Sequence, residues 1–77
     1  MDNNRKKLMS NLAIGRRVFE LRKERGYTQV QLATRLGIER KSIGRLENGE
    51  SLLKTEVIMG IAEELHTSTE YILTGKR

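Results

Sequence analysis

Apolar residues recur along this chain in short helical blocks, each closed by a glycine or a polar turn. Ile14, Val18 and Leu21 fall on one face at i, i+4, i+7 spacing, and the stem of Arg25 continues the stripe. The stripe predicts a helix from Ser10 or Asn11 to Arg25, stopped by Gly26 in the left-handed C-terminal position. Leu32, Ala33 and Leu36 form a second stripe that Gly37 interrupts, and Ile38, Ile43 and Leu46 resume it. Two short helices joined by a tight turn at Gly37 place all six residues in one core. Alanine at position 33 suits a close crossing of the two. The start of the pair is marked by Thr28 as N-cap, with Gln31 completing a capping box and Tyr27 and Leu32 placed as a hydrophobic staple.

Further along, residues 50–54 read as a loop. Val57 or Ile58, then Ile61, Ala62 and Leu65, mark the apolar face of a fourth helix. Gly60 within it costs about 1 kcal/mol against alanine and marks a close helix contact. His66 follows that helix, and histidine tolerates the left-handed conformation better than most residues. Ser68 or Thr67 caps a short fifth helix through Leu73, with Thr74-Gly75 closing it and Ile72 and Leu73 completing the core. Phe19 lies off the first stripe and fits either a helix edge or a partner surface. The expected architecture is all-α, a compact five-helix bundle over residues 10–75. Residues 1–9 form a basic mobile arm before it, and residues 76–77 a short tail.

The sequence Gly26-Tyr27-Thr28-Gln29-Val30-Gln31-Leu32-Ala33, followed by Ile43-Gly44-Arg45-Leu46-Glu47-Asn48-Gly49, resembles the phage-repressor family of DNA-binding domains (Cro/cI, or XRE). The resemblance runs from about Ile14 to Gly75. It departs from the family before the fourth helix, where Leu53 or Lys54 replaces a common proline, and at Glu39, where Ser or Thr usually caps. It implies a helix-turn-helix whose second helix, residues 39–47, enters the major groove of double-stranded DNA. With Ile43 and Leu46 inward, Arg40, Lys41, Gly44 and Arg45 face the bases, and arginine and lysine donate well to guanine O6 and N7. Gly44 matches a family glycine that allows close approach to DNA. Gln29 matches the family's phosphate-contacting glutamine, at a helix start whose free N–H groups also suit a phosphate. Asn48 and Ser42 join it as phosphate contacts. Glu39 either accepts from a cytosine amine or steers Arg40. Glu47 is an acid at a helix C-terminus on the DNA side, disfavoured by the dipole and the phosphates alike. The resemblance pairs it with Arg22 as a structural ion pair.

Charge adds to this picture. The net charge is +5 over 77 residues, unevenly spread. Residues 1–45 carry twelve Lys/Arg against four acids, and residues 46–77 carry three against six. A basic front and an acidic back suit a protein that meets a polyanion on one side. Arg5, Lys6 and Lys7 fit either a groove-following arm or a frayed tail. With no cysteine there is no disulfide, thiol nucleophile or Cys-type zinc site, as suits a reducing cytoplasm. A single isolated histidine and no glycine-rich phosphate loop give neither an enzyme nor a metal or cofactor site. The longest apolar run, residues 57–62, is far short of the roughly 20 residues that span a bilayer, and no signal peptide is expected. The resulting expectation is a cytoplasmic transcriptional regulator, a repressor acting as a homodimer on a palindromic operator. The rival is a DNA-binding antitoxin, for which Leu52, Leu53, Phe19 and Tyr71 would supply the partner surface.

Overall fold

The computed structural model describes residue 7 and residues 9–77. The described chain forms five α-helices: α1 Asn11–Glu24, α2 Gln29–Leu36, α3 Arg40–Glu47, α4 Thr55–Glu64 and α5 Thr69–Thr74. The expected five-helix, all-α architecture is observed, with no strand among the described residues. The arm residues Arg5 and Lys6 lie outside the described residues. Lys7 is exposed, and its carbonyl accepts from the Ser10 N–H and hydroxyl, turning the chain into α1.

Local signals in the sequence set the helix ends. The Ser10 hydroxyl accepts from Ala13 N–H and starts α1. Thr28 and Gln31 form a complete capping box at α2, so two otherwise unpaired backbone donors are satisfied. Of the two candidates before α5, Ser68 is the cap, accepting from Tyr71 N–H. Gly37 ends α2 in the left-handed conformation at φ 70°, and His66 takes φ 55° after α4. One expectation is corrected here: α1 ends at Glu24, and Arg25 is an exposed C-cap residue whose stem does not extend the apolar face.

Packing follows the stripes. α3 lies against both α1 and α2, α4 packs on α2, and α5 closes on α1 and α4. Ile14, Val18, Leu21, Leu32, Ala33, Ile43, Leu46, Ile58, Ile61, Ala62, Leu65 and Ile72 are buried together, with Leu36, Ile38 and Leu73 packed at the margin. α5 is additionally tied to α1 by Arg17, whose Nε donates to the Ile72 carbonyl at 2.8 Å. Tyr27 is half-buried, and its hydroxyl reaches Glu64 Oε2 at 3.2 Å, linking the start of α2 to the end of α4. The same carboxylate oxygen accepts from Arg35 Nε at 2.8 Å.

Gly15 and Gly60 permit two of the close contacts. At Gly60 an added Cβ would come within 3.0 Å of Leu36 Cδ2, so the expected close helix contact is the α2–α4 crossing. At Gly15 the constraint is harder. A Cβ there would overlap the Leu46 carbonyl oxygen at 2.1 Å and the Glu47 carbonyl oxygen at 2.8 Å, both backbone atoms. The glycine therefore sets how closely α1 approaches the C-terminal end of α3. Gly15→Ala is expected to lower the melting temperature despite alanine's better helix propensity. Separating two packed helices costs about 1–3 kcal/mol or more, against roughly 1 kcal/mol gained. Gly60→Ala meets only the end of a flexible side chain and is expected to cost less. Equal melting of Gly15→Ala and the parent chain would show that α3 does not depend on this approach.

Candidate nucleic-acid interface

α3 divides sharply between its two sides. Ile43 and Leu46 are fully buried and Glu47 is 8% exposed, whereas Arg40, Lys41 and Arg45 are exposed. Gly44 and Ser42 lie half-buried at the boundary. The spacing i, i+3, i+4 of the buried residues leaves the three cations on a common outward side. Asn48 is the exposed C-cap of α3, and its Nδ2 donates to Glu50 Oε2 at 3.3 Å. Gln29 opens α2 beside this surface. Glu39 occupies the N-cap position of α3 without a side-chain cap bond.

A polar chain runs from a buried ion pair out to the basic face. Arg22 Nε donates to Glu47 Oε2 at 2.7 Å and Nη2 to Oε1 at 3.0 Å, a two-point contact between planar groups. Nη1 of the same guanidinium donates to the Tyr27 carbonyl at 2.7 Å. Gln29 Nε2 donates to Glu47 Oε1 at 2.9 Å, and Gln29 Oε1 accepts from Arg40 Nη1 at 2.9 Å. The direction of the Gln29 amide follows from its neighbours, since a carboxylate only accepts and a guanidinium only donates. The chain thus runs Tyr27–Arg22–Glu47–Gln29–Arg40, from the α1–α2 turn to the outward surface of α3. No buried side-chain nitrogen or oxygen among the described residues lacks a partner.

The sequence-derived site residues fall in two groups. Arg22 and Glu47 meet as an ion pair, and Arg40, Lys41 and Arg45 share one face with Gly44 among them. Gln29, Ser42 and Asn48 border that face, but Gln29 and Asn48 already hold partners within the chain. Phe19, left open by the sequence, is half-buried, and the guanidinium carbons of Arg16 and Arg22 each lie 5.4 Å from its ring centroid. It lies over one side of the ion pair's guanidinium. Gly15 was not singled out by sequence reasoning. Its signal was there, a costly glycine between two core positions of α1.

Two short helices crossing at a glycine turn, the second presenting cations outward on an apolar and ion-paired back, define a helix-turn-helix domain of the phage-repressor type. The chain belongs to the helix-turn-helix family, whose model matches residues 18–72. An HTH-type transcriptional regulatory protein of Pyrococcus horikoshii is 45% identical over 49 residues, covering 64% of this chain and 16% of that one. The antitoxin PezA of Streptococcus pneumoniae is 40% identical over 55 residues, 71% of this chain and 35% of PezA. The chain therefore spans well under half the length of either relative. The P22 c2 repressor, solved in complex with a synthetic operator, superimposes with a TM-score of 0.79 at 25% identity, over 82% of this chain and 96% of that one.

The ion pair makes a stability prediction. Arg22→Met or Glu47→Gln alone leaves a buried group without its charged partner, a loss of about 3–5 kcal/mol. That is comparable with the whole stability of a small domain, at roughly 0.05–0.15 kcal/mol per residue. The double variant should lose less than the two single losses added together, because neither charge is stranded. Thermal melting without DNA measures this, and additive losses would mean that the contact contributes no coupling.

Proposed function

We propose that this domain binds double-stranded DNA in a sequence-specific manner and serves as the DNA-binding part of a transcriptional repressor. The observation that carries the reading is the face of α3, where Arg40, Lys41 and Arg45 stand exposed on a helix fixed from behind. A helix held this way can present its side chains to base edges at constant depth in the major groove. Lys41 and Arg45 contact bases directly, and Arg40 does so with the donors that Gln29 leaves free. Ser42, Asn48 and the remaining Gln29 N–H contact phosphates along the rim, which fixes position without reading sequence. The similarity to an operator-bound repressor supports this docking.

A homodimer on a palindromic operator completes the proposal. Two copies of α3 would then enter successive major grooves about 34 Å apart. The observation in favour of an antitoxin is the identity with PezA. That match covers 35% of PezA, so it speaks for a shared DNA-binding part. Of the four apolar residues named for a toxin surface, Leu52 is 47% exposed and Phe19 is half-buried, while Leu53 and Tyr71 are half-buried against the core. Co-purification of a small partner protein from the native host would favour that reading.

Two measurements test the proposal. Sites selected from random duplex DNA should show a symmetric consensus. On it, Arg40→Ala and Arg45→Ala should each lose about 1–3 kcal/mol, with much smaller losses on random DNA. Equal losses on both kinds of DNA would remove the base-reading role. Affinity should also fall steeply as salt rises, because each neutralised phosphate releases counterions. A flat salt dependence would argue against a phosphate-tracking interface altogether.

A further inference from the structure

Away from the face of α3, two exposed apolar residues stand among charges of opposite sign. Val30 on α2 is 56% exposed, and Met59 on α4 is 54% exposed. Val30 lies in an open groove of about 720 Å³, lined also by Arg25, Tyr27, Thr34, Arg35 and Glu64. Glu64 is already answered within the groove by Arg35 Nε at 2.8 Å and by the Tyr27 hydroxyl at 3.2 Å. Arg35 gives only its Nε to that contact, so the N–H donors of both its terminal nitrogens stay open. Arg25 is exposed and holds no hydrogen bond or ion pair among the described residues. The groove therefore combines an apolar floor with unspent cationic donors.

α4 carries the complementary pattern. Glu56, Met59 and Glu63 are all exposed. At 3.6 residues per turn they fall within an arc of about 60°, with the two acids about 10 Å apart along the axis. Neither carboxylate has a partner among the described residues. We infer that the groove beside α2 receives the Glu56–Met59–Glu63 stripe of a second copy of this chain. The unbranched thioether of Met59 fits against Val30 and the Tyr27 ring. Glu56 and Glu63 take the open donors of Arg25 and Arg35, which are charge-assisted contacts. The contact joins two unlike surfaces, so it is separate from the two-fold pairing that a palindrome requires. No residue of α3 takes part, which leaves the basic face open. The net charge of +5 repels two copies at long range. At 0.1 M salt that repulsion is screened beyond about 10 Å, whereas groups meeting across the groove are closer than that. Exposed ion pairs contribute little each, so the association is weak and sensitive to salt.

Sedimentation velocity of the DNA-free chain over a range of concentrations tests this. The parent should show an association step that weakens roughly ten-fold or more between low and high salt. Val30→Asp closes the groove, and it lies in the first turn of α2, where an acid suits the helix dipole. Glu56→Lys with Glu63→Lys reverses the stripe. Each variant alone should lose the step. An equimolar mixture of the two should recover it, because one chain keeps an intact stripe and the other an intact groove. All three positions are exposed, so both variants should melt with the parent; should Val30→Asp melt early, Arg25→Glu takes its place. A step that persists in either variant, or fails to return in the mixture of folded chains, would overturn the inference. Absence of the step in the parent would overturn it too and leave the groove to an unlike acidic partner. DNA is absent throughout, so none of these outcomes bears on the DNA-binding reading.

Discussion

The Glu47 carboxylate is the constraint from which the rest of this domain follows. It sits at the end of α3, where the helix dipole repels a negative charge, and it is nearly buried. Left alone it would be among the costliest groups in the molecule. Three donors offset that cost, two from the Arg22 guanidinium and one from Gln29 Nε2. Each comes from a different helix than the acid, so satisfying one carboxylate fixes α1, α2 and α3 relative to one another. A buried ion pair of this kind adds little net stability over apolar side chains of equal volume. What it adds is direction. A planar carboxylate held at two points by a planar guanidinium has one orientation, whereas leucine packing against leucine tolerates several.

The surrounding residues serve that geometry. Gly15 lets α1 approach the carbonyls of Leu46 and Glu47, so that Arg22, two turns further along α1, can reach Glu47. Phe19 covers the guanidinium from the side of α1, replacing water with a ring face. The Tyr27 carbonyl takes the remaining Nη1 donor, so the turn between α1 and α2 is drawn into the same network. The apolar core holds the helices together, and this network sets their angular relation.

Much of this was legible in the sequence because it is local. Caps, glycine stops and i, i+3, i+4 stripes are set by neighbours in the chain, and Thr28, Gln31, Gly37 and the core positions all occur where those signals put them. The family pattern supplied the one long-range contact expected, Arg22 with Glu47. What the sequence left hidden depends on distances across the fold. The Gln29 amide reads locally as a free donor at a helix start, and only the position of α3 shows that both its ends are taken. Arg25 shows the reverse error. Its spacing continues the apolar stripe of α1, but the helix ends one residue earlier and the side chain passes into solvent.

The polar chain also links so small a core to the exposed side of α3. Exposed arginines ordinarily move through many rotamers. The domain joins one such arginine to its interior through two intermediates, Gln29 and Glu47. Arg40 holds Gln29, Gln29 holds Glu47, and Glu47 holds Arg22 in the packed face of α1. Loosening any member should loosen those nearer the surface, while those nearer the core keep their own partners. Arg22 retains the Tyr27 carbonyl and the Phe19 ring whatever happens at Arg40. The buried contacts therefore lie at one end of the chain and the exposed one at the other. Substitution of the exposed Arg40 should therefore leave the fold intact, whereas substitution of Arg22 or Glu47 alone strands a buried partner.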